Sequence, residues 1–75
     1  MLRIHFKDEG QDILWWDIDS QGIVQACNMQ EWVWKGTKVM MDQPIKKGSI
    51  LTVEFAKAGV GTFVHPVIKV EKLKE

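Results

Sequence analysis

Trp15 and Trp16 stand side by side in the run Asp12-Ile13-Leu14-Trp15-Trp16-Asp17-Ile18-Asp19, whose composition is that of a β-strand. Side chains of a strand alternate between its two faces, so Leu14, Trp16 and Ile18 share one face and Ile13, Trp15 and Asp17 take the other. Adjacent tryptophans in an extended chain cannot enter the same core. Whatever sheet this segment joins must therefore dispose of large apolar surface on both of its faces.

The neighbouring segments carry the same period. Leu2, Ile4 and Phe6 alternate with Arg3, His5 and Lys7, giving a first strand with one apolar row. Asp8-Glu9-Gly10-Gln11 interrupts the pattern as a hairpin loop, and Ser20-Gln21-Gly22 turns the chain into a third short strand, Ile23 to Cys27. Thr37 to Met41 is expected to be extended, followed by a longer connection through Pro44 and Lys46-Lys47-Gly48. Ser49 to Phe55 alternates cleanly, with Leu51, Val53 and Phe55 on one side. Ala58-Gly59-Val60-Gly61 reads as a flexible hairpin loop. Thr62 to Val70 reads as the last strand, with Val64, Ile68 and Val70 in one row and Phe63, His65 and Val67 in the other. Pro66 donates no ladder hydrogen bond and marks an edge or a bulge there.

Residues 28–36 are the ambiguous stretch. Asn28 and Glu31 have the spacing of a capping box and Gly36 sits where a helix C-terminus favours glycine, whereas Trp32-Val33-Trp34 also suits a strand. The terminal signals favour one short helix at 29–35.

About six short strands with glycine-containing turns predict a mainly β fold over residues 1–75 as a single small domain. The expected form is an antiparallel meander, barrel-like or a strongly curved sheet of SH3-like size. Ile13, Trp15, Ile23, Ile50, Phe63 and Val67 share the phase opposite the main core rows, with Trp32 and Trp34 available to join them. That is more apolar surface than a monomer leaves to water, so the sequence predicts a second face that a partner, or residues 28–36, must cover.

Composition narrows the class. With 75 residues, 45% of them hydrophobic and 27% charged, the chain is globular in composition. A chain of this length buries only about 60% of its unfolded surface, which leaves a marginal core. Cys27 is the single cysteine, so no internal disulfide supports the fold, and a reducing, cytoplasmic setting is expected. The alternation begins at residue 2 without the apolar run of a signal peptide, and no apolar stretch approaches the roughly 20 residues that span a bilayer. Net charge is zero, although residues 1–37 carry −3 and residues 38–75 carry +3, so no global field draws the molecule to nucleic acid or anionic lipid.

Motifs with chemical content are sparse. Asp17-Ile18-Asp19-Ser20-Gln21-Gly22 has the opening of a calcium loop, but Asn28 stands where the bidentate Glu belongs and strands flank it where helices are needed. An ordinary polar turn is expected, with no metal and no cofactor. Gly59-Val60-Gly61 lacks the remaining residues of a nucleotide-binding loop. Cys27 with His5 or His65 offers a nucleophile and base but no legible orienting group or oxyanion element, so no enzyme is predicted.

The anomaly is four tryptophans in a chain without tyrosine. Aromatic residues and Met are enriched in interface cores, and Met29, Met40 and Met41 add adaptable apolar contact. The expected role is therefore non-enzymatic: self-association as a homo-oligomer, or docking to a protein partner, through Ile13, Trp15, Ile23, Trp32, Trp34, Ile50, Phe63 and Val67. A single-stranded nucleic-acid platform would need a basic rim, for which Lys46, Lys47, Lys57 and Lys69 are available, but Asp12, Asp17 and Asp19 crowd the tryptophan strand. A Trp-lined small-ligand pocket with Asp17 as counter-charge is the third reading.

Overall fold

A computed structural model describes residues 1–7, 10, 12–41, 44–56 and 58–73. It is mainly β, with strands β1 Leu2–Lys7, β2 Ile13–Ile18, β3 Val24–Cys27, β4 Lys38–Val39, β5 Thr52–Phe55, β6 Gly59–Thr62 and β7 Val67–Lys72, and one short helix, α1 Glu31–Trp34, between β3 and β4. The strands form two antiparallel sheets, ordered β3-β2-β1-β7 and β4-β5-β6. The barrel does not close through continuous ladders. The sheets instead meet at two corners. At one, Ile23 bridges Lys38 while Val24 N–H donates to Thr37 O and Val39 N–H to Gly22 O; at the other, Val67 N–H donates to Ser49 O and Gly48 N–H to Val67 O.

The first hairpin follows the sequence pattern. Ile4 pairs with Trp16 and Phe6 with Leu14, so both apolar rows enter one core, while Arg3, His5 and Lys7 lie opposite Asp17, Trp15 and Ile13 on the outer face. Leu51 and Val53 of the second sheet close over that core, and Phe55 is half-buried against it, as their alternation predicts.

Two bulges reset the phase elsewhere. In β3, Gln25 is the extra residue, so Val24 and Cys27, three positions apart, both face inward opposite Ile18 and Trp16. In β7, Phe6 pairs with Val67 and His5 with Lys69, leaving Ile68 unpaired and placing Val67 and Val70 on the same side. The expected single strand from Thr62 to Val70 is thereby corrected. It breaks at 63–66, around Pro66, into β6 and β7, and this raises the strand count to seven. The consequence falls on the predicted second face: Phe63 and Val67 are both buried in the main core, and Val64 is 72% exposed.

The loop expected at Ala58 to Gly61 is also corrected. Gly59 to Thr62 pairs with Thr52 to Phe55, which leaves residues 56–58 as the connection. Glycine packs poorly in a strand, but the Phe55 ring lies over Gly61 where a side chain would otherwise sit, a cross-strand aromatic cover for an edge glycine.

The core is built on aromatic rings. Trp16 lies 4.8 Å from Phe6, 4.7 Å from Phe63 and 5.5 Å from Trp34, centroid to centroid. The indole N–H groups of Trp16 and Trp34 and the Thr37 hydroxyl are buried without a hydrogen-bond partner among the described residues. Each costs about 1–3 kcal/mol. Ring packing acts against that cost, each aromatic pair adding about 0.5–1.5 kcal/mol.

Candidate binding surface

Helix α1 decides which tryptophan is exposed. It has a single turn and no side-chain cap: Gln30 occupies the N-cap in the left-handed region at φ 54. The capping box read from Asn28 and Glu31 is not formed, because Asn28 is engaged with β2, its Oδ1 accepting from Trp15 N–H and its Nδ2 donating to Ile13 O. Residues two apart on a helix point about 200° apart. Trp34 therefore turns inward onto Trp16, Phe55 and Phe63, and Trp32 turns outward, 77% exposed. Gly36 at φ 90 ends the turn, as its position predicts, and donates its N–H to Val24 O.

Beside Trp32, the helix and the β5–β6 turn leave a cleft of about 430 Å³ lined by Trp32, Val33, Lys35, Phe55, Ala56 and Ala58. Among the described residues its walls are apolar apart from Lys35. Sequence reasoning places Phe55 with the core and gives no role to Val33, Ala56 or Ala58. The signal available was helical spacing at Trp32 and Trp34, which separates the two rings.

The predicted apolar face does not assemble. Phe63 and Val67 are in the core, Trp34 is largely so, and Ile23 is half-buried at the corner between sheets. Ile50 is 52% exposed on a different surface, beside a cleft of about 360 Å³ that Met40, Ile45 and Lys46 also line. Only Ile13 and Trp15 share the outer face of the four-stranded sheet, and there Trp15 is covered from within the chain. The Arg3 guanidinium lies 3.9 Å from its ring centroid and makes a bidentate pair with Asp17, Nε to Oδ1 at 2.7 Å and Nη2 to Oδ2 at 3.0 Å. That hydrogen-bonded pairing raises the Arg3 pKa further above its ordinary value, and Asp17 thus has its counter-charge already. Next to it, His5 Nε2 lies 3.4 Å from Glu71 Oε1.

Of the basic rim, Lys46 and Lys47 are exposed on the connection into β5, Lys69 is exposed on β7 opposite His5, and Lys57 lies outside the described residues.

The remaining chemical groups are engaged one by one. Asp19 accepts from Ile23 N–H, Gln21 N–H and Gln25 Nε2, and these bonds, the first foremost, hold its pKa below the usual carboxylate value. The calcium-loop-like stretch is thus a turn clamp. Cys27 faces the core opposite Trp16, and burial pushes its thiol pKa up, away from the reactive thiolate. His5 stands on the other face of the same sheet, and His65 packs edge-on to Phe63 at 5.3 Å. Among the described residues no three His, Cys, Asp or Glu side chains converge as metal ligands, and no helix is long and apolar enough to cross a membrane.

No protein-family model, curated protein or solved structure matches this chain.

Proposed function

We propose that this chain is a binding domain that acts without catalysis, associating with a second copy or another protein through the cleft between α1 and the β5–β6 turn. The observation that carries the proposal is Trp32, 77% exposed at the rim of an apolar cleft while the other three tryptophans are packed or covered. An indole costs free energy when it is left in water, and tryptophan is a frequent anchor of interface hot spots. Cys27, buried and turned away from His5, gives no support to a nucleophilic mechanism.

A small-ligand pocket of this volume would carry several converging polar groups to fix orientation, and among the described residues Lys35 alone is polar here, which favours an apolar protein side chain as the guest. Arg3 already occupies one face of Trp15, which takes that ring out of a nucleic-acid stacking platform.

The test uses an environment-sensitive anilinonaphthalene sulfonate dye with the full chain at high dilution. Dye emission should rise with the wild-type protein and fall severalfold for Trp32→Ser and for Ala58→Glu. The urea midpoint should hold in both, because these positions are exposed and surface changes cost within about 0.5 kcal/mol. Emission that ignores both substitutions would remove the cleft as the binding site.

A further inference from the structure

Each sheet ends in an open edge, and the two edges are built differently. On β7 the outer edge carries Lys69, Glu71 and Lys72 together with the bulge at Ile68, which are the usual devices that prevent another strand from adding. On β6 the edge is Gly59-Val60-Gly61-Thr62, with no charge, no proline and no bulge, and among the described residues β5 is its only strand partner. Glycines 59 and 61 let another backbone approach closely. Val60, 65% exposed, stands between them on the face away from the core. Four residues supply few hydrogen bonds, so an added strand must also gain side-chain contact.

We infer that the occupant of this edge is a second copy of this chain, paired antiparallel through β6 so that β4-β5-β6 of each copy join in one six-stranded sheet. The inference rests on the proposal that the chain works by association, and adds which edge and which partner. Antiparallel pairing of a strand with itself is two-fold symmetric, so both copies use the same surface and the assembly closes at two. Whether the two-fold axis passes through Val60, through Gly61 or between them, residue 64 of one copy comes opposite residues 56 to 58 of the other. Val64, 72% exposed just beyond β6, is thereby delivered to the partner's β5–β6 turn, whose Ala56 and Ala58 form one wall of the apolar cleft. Two exposed apolar features become each other's cover. With zero net charge, the copies meet without long-range repulsion.

The decisive experiment is sedimentation of the full chain over a concentration series, with amide hydrogen exchange read at low and high concentration. The wild-type chain should pass from monomer to dimer, with exchange slowing within residues 59–62 and unchanged on β7. Val60→Lys places two lysines across the new pairing and should raise the dimer dissociation constant at least about tenfold. Thr62→Lys, exposed on the same face, gives the same result should Val60→Lys fail to fold. A wild-type chain that stays monomeric while Trp32-dependent dye binding persists overturns the second copy and leaves the cleft standing. A dimer that survives both lysines but is lost in Trp32→Ser overturns the edge pairing and leaves association through the cleft. Loss of both the dimer and the dye signal from the wild-type chain removes the inference together with the reading beneath it.

Discussion

Gly22 is buried at φ 85, and a β-carbon there would run into the carbonyl oxygen of Val39 and lie 3.0 Å from Cγ of Met41. The same carbonyl-rich corner carries the bond from Val39 N–H to Gly22 O that ties β4 to the first sheet. Gly36 has nearly the same backbone, φ 90, with nothing within 4 Å of its would-be β-carbon. The pair separates backbone strain from steric clash. Gly36→Ala should cost about 1–2 kcal/mol, the ordinary penalty of a left-handed L-residue. Gly22→Ala should cost at least ~1 kcal/mol more, because the obstacle is backbone and cannot swing away. Urea denaturation of the two variants measures the difference, and equal midpoints would show that the corner yields to the new methyl. Sequence reasoning identifies Gly22 as a turn residue; its role in letting two sheets touch depends on what lies across from it.

At the scale of elements, α1 is held by what it packs against. A four-residue turn without a side-chain cap, entered through a left-handed Gln30, has little helical stability of its own, since nucleation is costly and isolated short helices are marginal. Trp34, seated among Trp16, Phe55 and Phe63, is the anchor. Gln30→Gly should therefore raise stability by about 0.5–1 kcal/mol, because removing the β-carbon relieves about 1–2 kcal/mol of left-handed strain and glycine's greater entropy loss on folding returns part of it. Thermal melting followed by circular dichroism checks this, and a lower melting temperature would mean that the Gln30 side chain contributes contacts worth more than the strain. The two bulges act at the same scale. Each slips one residue out of its ladder and inverts the faces of everything beyond it, which is why Val67 and Val70, three positions apart, lie on the same side of β7.

Across the whole molecule, the chain closes on itself: β7 pairs with β1 from Leu2 opposite Lys72 to Phe6 opposite Val67, so the last strand completes the sheet that the first strand begins. Val67 also joins the two sheets through Ser49 and Gly48. Removing residues 67–75 strips the central strand β1 of one neighbour and opens the core at a fully buried position. A small domain with a marginal core has no reserve against that loss. The shortened chain should lose cooperative urea unfolding altogether, with the tryptophan emission of a solvated indole even before denaturant is added. A retained two-state transition would show that β1 and β2 carry the core without their C-terminal partner.

The β class, the first hairpin and the inward rows of β1, β2 and β5 were determined by the sequence alone. Each follows from local alternation, a physical property of the segment itself. The fate of the second apolar face was decided only in tertiary structure. Trp15 is covered because β1 brings Arg3 and its Asp17 pair over the ring; Val67 is buried on the same side as Val70 because a bulge at Ile68 shifts the phase, and Phe63 follows Gly61 onto the side where Val53 faces the core. Trp32 is left outside because one helical turn cannot point two tryptophans the same way. All three outcomes depend on which strand lies beside which, and alternation carries no record of neighbours.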